Sequence, residues 1–373
     1  MIRSFFSSLI PKSRVFLLLL TTITPYVQAQ NTMDFEAYDP PSTLKVEEHH
    51  LTKARFPFID IHNHQGGMAT QDLSGLIREM DKLNMTVMVN LSGRGNGGNG
   101  QLEGALSNVK QNYPKRFVVF TNLSFNGIGE AGWTEKAVKR LEEDVKLGAM
   151  GLKIFKNLGM DVRDNNGKRV SVDDPRLDPV WAKCGELGIP VLIHSADPKS
   201  FWDPYDKNNE RWLEVKLNPG RRHDTDPVKW ETIIEEQHRM FGKHPKTKFI
   251  NAHLGWYAND LKKLGTLLDQ YPNMYTEIGA VIAELGRQPK AAKVFLTKYQ
   301  NRVLFGKDSW VPSEYETYFR VLESEDEYFP YHKRYHAFWR MYGIGLPDDV
   351  LKKIYYKNAL TLLPAVDKSM FPN

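Results

Sequence analysis

Between Phe56 and Ser309, short apolar runs alternate with longer segments whose apolar residues recur every three or four positions. The short runs read as buried strands and the long ones as amphipathic helices, the pattern of repeated βα units around a parallel sheet. Strands are predicted at 56–64, 86–92, 116–124, 151–155, 190–196, 248–255, 274–281 and 302–309. Helical patterns fall between them at 72–84, 134–148, 178–188, 259–272 and 291–300, several ending in Gly or Tyr-Pro where a helix must stop. Eight such units are what a TIM-type (β/α)8 barrel needs, so the expected fold class is α/β of that type. The pattern alone also permits an open sheet.

The ends of the chain modify this picture. Arg3, Lys12 and Arg14 precede the apolar run VFLLLLTT, and VQA follows at 27–29, which reads as an export signal over residues 1–29 and a periplasmic or secreted protein. The apolar run is shorter than the roughly 20 residues a membrane-spanning helix requires, and no later segment reads as one. Loss of those three cations takes the formal charge from +5 to +2, so the basic balance does not point to nucleic acid. Residues 30–55 form a polar lead-in, 56–364 the barrel with helices after its last strand at 314–363, and 365–373 a tail. Cys184 is the single cysteine, so disulfides are excluded and stability must come from a large core; its helical setting suits a small buried side chain. A homo-oligomer is left open.

Two insertions directly follow strands, where barrel enzymes build substrate sites. GRGNGGNGQ at 93–101 lacks the spacing of a phosphate-binding loop and reads as a flexible loop or lid. The segment 197–226, with Phe201, Trp202, Tyr205 and Trp212, reads as an ordered lid or substrate wall.

The candidate chemistry sits at strand ends. His62 and His64 in DIHNH share one face of a strand with backbone positions about 7 Å apart, a workable separation for two imidazoles reaching one ion. Such a pair taken alone is as readily a pair of core histidines. His194 ends the fifth predicted strand, His253 the sixth and Asp308 the eighth, so in a closed barrel all five groups meet on one rim. Arg287 could clamp a substrate carboxylate, with Arg94 and Lys153 as rivals, and Trp202, Trp256 and Trp310 could wall a pocket for a small-molecule substrate.

These residues resemble the amidohydrolase superfamily, and within it the amidohydrolase-2 branch that includes aminocarboxymuconate-semialdehyde decarboxylase and related decarboxylases and lactone hydrolases. The resemblance covers most of residues 56–364 and rests on DIHNH, VLIHSA, NAHLG, VLFGKDS and the closing IYYKNALTLLP. It implies a metal-dependent hydrolase-type barrel in which His62, His64, His194 and Asp308 hold one divalent metal, most often zinc, with manganese also suited to such ligands. By the same resemblance Asp308 and His253 are catalytic, His253 activating water or orienting substrate. Lys307 stands where the family has a small residue, and Glu277 where an aspartate is common. Some relatives carry a carboxylated lysine on the fourth strand that bridges two metals; this branch works with one, so Lys153 is read as binding a substrate anion. The expected activity is hydrolysis of an ester, lactone, amide or related bond by a metal-activated water. Non-oxidative decarboxylation of an aromatic or unsaturated acid is the alternative, and a non-catalytic metal-binding barrel a third.

Overall fold

The computed structural model describes residues 33–333 and 339–372. The export signal expected at 1–29 lies outside them. Residues 33–44 belong to a separate unit holding one 3-10 turn, Phe35–Ala37; the barrel unit begins at Lys45.

All eight predicted strands form, mostly shorter than expected. They are β1 (Phe58–Asn63), β2 (Met85–Asn90), β3 (Phe117–Val119) with β4 (Thr121–Asn122), β5 (Leu152–Ile154), β6 (Val191–Ile193), β7 (Phe249–Asn251), β8 (Met274–Glu277) and β9 (Val303–Leu304). Every pairing among them is parallel and between neighbours in sequence. β1 is buried at every position, as a parallel strand covered on both faces must be. Two backbone hydrogen bonds join the last strand segment to the first: Ile61 N–H donates to Phe305 O (3.0 Å) and Asp308 N–H to His62 O (2.7 Å). The sheet is therefore a closed barrel.

The third predicted strand runs through Phe120 and pairs on both sides: Phe120 N–H donates to Asn90 O, Thr121 N–H to Gly151 O and Met150 N–H to Val119 O. The Phe120 ring lies against the backbone of Gly151, where an added Cβ would collide with the ring. Only glycine admits so close an approach.

The helices follow as the periodicity requires: α1 (Ser74–Leu83), α2 (Leu102–Asn112), α3 (Trp133–Leu147), α4 (Asp178–Glu186), α5 (Trp212–Leu217), α6 (Trp230–Lys243), α7 (Leu261–Gln270), α8 (Ile282–Arg287) and α9 (Pro289–Lys298). Cys184 is buried in α4, and burial pushes its thiol pKa well up, which makes it the inert packing residue expected. The segment 314–363 is not helical throughout. α10 (Tyr315–Glu323) is separated from α11 (Asp348–Lys352) and α12 (Asn358–Leu362) by an antiparallel pairing of Phe329–Pro330 with Arg340–Met341. These last helices close the barrel floor: Phe305 N–H donates to Ile354 O, Asn358 Nδ2 donates to Val303 O, and Phe58 packs on Phe305, Phe319 and Tyr355.

Gly151→Ala tests this close approach. Overpacking of this kind costs about 1–3 kcal/mol, so the urea midpoint falls while the native near-ultraviolet spectrum is kept. An unchanged midpoint would show that the Phe120 ring has room to move.

Candidate metal centre

The barrel's closing hydrogen bond, Asp308 N–H to His62 O, sets the two residues side by side above the strand ends. Asp308 Oδ1 lies 3.2 Å from His62 Nε2 and 3.6 Å from His64 Nε2. His253 enters after β7, its ring 4.9 Å from that of His62. One ligand atom from each of His62, His253 and Asp308 falls within 4.8 Å of the others, a group able to hold a metal ion.

Each histidine is aimed by its other ring nitrogen. His62 Nδ1–H donates to Glu277 Oε1 (3.0 Å) and His253 Nδ1–H to Gly279 O (2.7 Å), so in the neutral imidazole that a metal requires both Nε2 atoms present lone pairs. His64 Nδ1 is hydrogen-bonded to Ser92 Oγ (2.8 Å), and its ring stacks on Phe155. Tethering of this kind is what orients imidazoles toward a metal. His194 borders the group differently: its Nδ1 lies 3.3 Å from His253 Nε2, and its buried Nε2 has no hydrogen-bond partner. The donor set fits a divalent ion, with His62, His253 and Asp308 tightest, His64 adjoining Asp308 and His194 adjoining His253.

The electrostatics favour the ligand form at three of the four histidines. Burial holds His64 down at about 3, helped by the charges of His62 and Lys153, and burial also lowers His194 and His253. Neutral imidazole is the form that binds metals. At His62, burial and Lys153 act downward, but the carboxylates of Glu277 and Asp308 prevail and raise it. Burial alone would raise Asp308; the charge and hydrogen bond of His62, with His253 behind, hold it well below the carboxylate range.

Backbone strain concentrates here. Of eight non-glycine residues with positive φ among the described residues, six follow β6 to β9: Ala196, His253, Leu254, Trp256, Ala280 and Asp308. Such conformations cost about 1–3 kcal/mol each and persist where the surrounding structure enforces them.

The other predicted residues divide. Lys153 is fully buried, its Nζ 3.5 Å from His62 Nε2, and burial lowers its pKa to about 8. Trp256 packs on His253 and His194, with centroids at 4.6 and 5.6 Å. Trp310 packs on Tyr315 near Asp308 in sequence. Trp202 instead stacks on His223 inside the long insertion. Arg287 pairs with Glu210 and lies over Trp339, with no contact to the histidines among the described residues. Arg94 is spent on Asp144 and Glu103, so it is already paired and not free to clamp a substrate carboxylate. The sequence flagged Glu277 only as a departure, yet this buried carboxylate accepts from His62 Nδ1, His253 N and Gly279 N. Its signal was a glutamate ending an apolar strand. Ser92 and Phe155 carried no signal, because small polar and aromatic residues are common at strand ends.

Glu277 also sets a pH dependence. Burial acts to raise its carboxyl, but His62 and His253 hold it down at about 2, against an ordinary 4.5. A carboxyl that titrates lower in the folded chain stabilises above the ordinary value and loses that contribution as the pH falls toward 2. At pH 7 Glu277→Gln is expected to cost about 2–3 kcal/mol, in the range for hydrogen bonds to a charged group. The difference between native and variant in denaturant unfolding then narrows between pH 4.5 and 3. A difference independent of pH would contradict the assignment.

The amidohydrolase family model matches residues 59–365, whereas no curated protein matches significantly. Among solved structures, the chain resembles a dihydroxybenzoic acid decarboxylase from Polaromonas sp. JS666 with bound manganese and the inhibitor 2-nitroresorcinol (14% identity, 84% of this chain and 99% of that one, TM-score 0.53). It also resembles a putative amidohydrolase from Staphylococcus aureus (18%, 82% and 99%, 0.52) and an uncharacterized TIM-barrel protein from Bordetella bronchiseptica (18%, 82% and 98%, 0.51). The structural likenesses support the barrel, and the family match spans its strands and the helices that close its floor. The chain belongs to the amidohydrolase family.

Proposed function

We propose that this protein is an exported, metal-dependent hydrolase that cleaves an ester, lactone, amide or related bond of a small molecule. The observation that carries the reading is the convergence of His62, His253 and Asp308 within 4.8 Å, each histidine tethered through Nδ1 and turned inward through Nε2. Export is supported by the basic residues, apolar run and small-residue site of residues 1–29. A divalent ion held by these residues, zinc by family resemblance or manganese as in the Polaromonas protein, supplies Lewis acidity that lowers the pKa of a water from 15.7 to about 7.

The protein's own groups do the rest. Asp308 is kept ionised and is 37% exposed at the barrel mouth, so it can take the proton of an attacking water. His253, fixed by Gly279 and by its strained backbone, turns its Nε2 lone pair to the same space, where it accepts a hydrogen bond from the attacking water and orients it. Lys153, with a pKa near 8, offers a short-range partner for a substrate anion. Phe155 and Trp256 wall the centre and limit water. The same lysine beside the ligands favours one second reading, decarboxylation, in which it holds a carboxylate and the proton that replaces carbon dioxide comes from water by way of Asp308.

Asp308→Asn separates these roles from a structural one. Turnover on a panel of esters and lactones is expected to fall at least about a hundredfold, the usual size of a lost general base. Wild-type-like turnover would remove Asp308 from catalysis. Carbon dioxide release from dihydroxybenzoates, with no ester or lactone cleaved, would favour the decarboxylase.

A further inference from the structure

A cavity of ≈ 290 Å³ lies between the long insertion after β6 and the segments after β7 and β8, and Trp256 forms part of its wall. The same indole packs on His253 and His194 and is fixed by donating Nε1–H to Ser195 O and Ala196 O. One side chain therefore borders both the catalytic centre and this cavity. The volume lies at the small end of ligand pockets, about 300 Å³.

The chemistry of the lining limits what can sit there. Its cations are already neutralised: Lys199 pairs with Asp203 at 2.7 Å, and Arg211 pairs with Glu214 at 2.7 Å and with Glu284. The third lining carboxylate, Glu210, pairs with Arg287. An anionic ligand would meet no unspent cation and three carboxylates. The wall also carries the amides of Asn208 and Asn259, and Glu284, only 6% exposed, has a carboxylate oxygen, Oε2, with no hydrogen-bond partner. A buried unpaired acceptor beside amides suits a ligand rich in hydroxyl groups, each of which can donate to the carboxylate and accept from an amide. Trp256 adds a flat apolar face for the C–H side of a ring.

We infer that this cavity is a subsite for a polyhydroxylated, sugar-type portion of the substrate, held across Trp256 from the bond that is cleaved. The inference rests on the hydrolase reading for the reaction but not for the binding. Glu284 accepts a ligand hydroxyl through Oε2, Asn259 donates to a ligand oxygen, and Arg211 holds Glu284 in place.

The test is binding of D-glucose, D-galactose, D-mannose and L-rhamnose to the mature, metal-loaded protein. It is followed by saturation-transfer NMR and calorimetry, with 4-hydroxybenzoate as competitor and phenyl acetate hydrolysis measured in parallel. At least one sugar is expected to bind, and binding weakens about tenfold or more in Glu284→Gln and in Asn259→Ala, as for a lost hydrogen bond. Asn259 is exposed, so its variant keeps the test valid should the loss of Glu284 disturb folding. No sugar binding, binding unchanged in Asn259→Ala, or displacement of the sugar by 4-hydroxybenzoate would overturn the subsite. Phenyl acetate cleavage without sugar binding overturns the subsite alone, whereas variant-sensitive sugar binding without ester cleavage upholds it and counts against the hydrolase.

Discussion

The arrangement depends on one of the two backbone hydrogen bonds that close the barrel, from Asp308 N–H to His62 O. Because this bond joins the last strand segment to the first, it brings together two residues separated by nearly the whole domain. The fold's closure and the site's central contact are thus the same event. Asp308 adopts a left-handed backbone conformation to make it, a cost borne by the surrounding structure. A sheet left open at this seam would place neither His62 nor His64 near a carboxylate on the last strand.

Around the seam, buried charge is compensated group by group. Asp60 accepts from the backbone N–H of His62 and Lys307 through Oδ1, and from Asn63 Nδ2 and Tyr315 OH through Oδ2. Lys307, the charge standing where the family has a small residue, is turned to Ser309 and Glu314 and packs over Tyr315. Its ammonium is thereby neutralised away from the histidines. Glu277 performs the complementary task on the other side by orienting His62 and His253. An unpaired buried charge would cost several kcal/mol, so these partners are conditions for the site to exist.

Most of the architecture was legible because parallel strands buried on both faces appear as apolar runs, and their helices carry a plain three-to-four period. The close approach of Phe120 to Gly151 was not, since it turns on contact between a ring and a glycine backbone distant in sequence. The antiparallel pairing within 314–363 escaped because its strands are only two residues long. The strand-end rule located His62, His64, His194, His253 and Asp308, but it could not rank their distances. Sequence gives the rim on which a side chain lies and not its rotamer, and here the rotamers draw His253 into the tightest group. Arg287 and Trp202 illustrate the same limit: both follow strands, yet their contacts are with Glu210, Trp339 and His223.

The central claim, that barrel closure builds a metal centre, is tested most directly by elemental analysis of the purified protein beside a His62→Ala/His64→Ala double variant. The account predicts about one divalent ion per chain in the native protein, since this donor set has the chemistry of a mononuclear site, and its loss from the variant while the fold is retained. A native protein that neither contains a divalent ion nor takes one up on reloading, or a variant that keeps its ion, would contradict it.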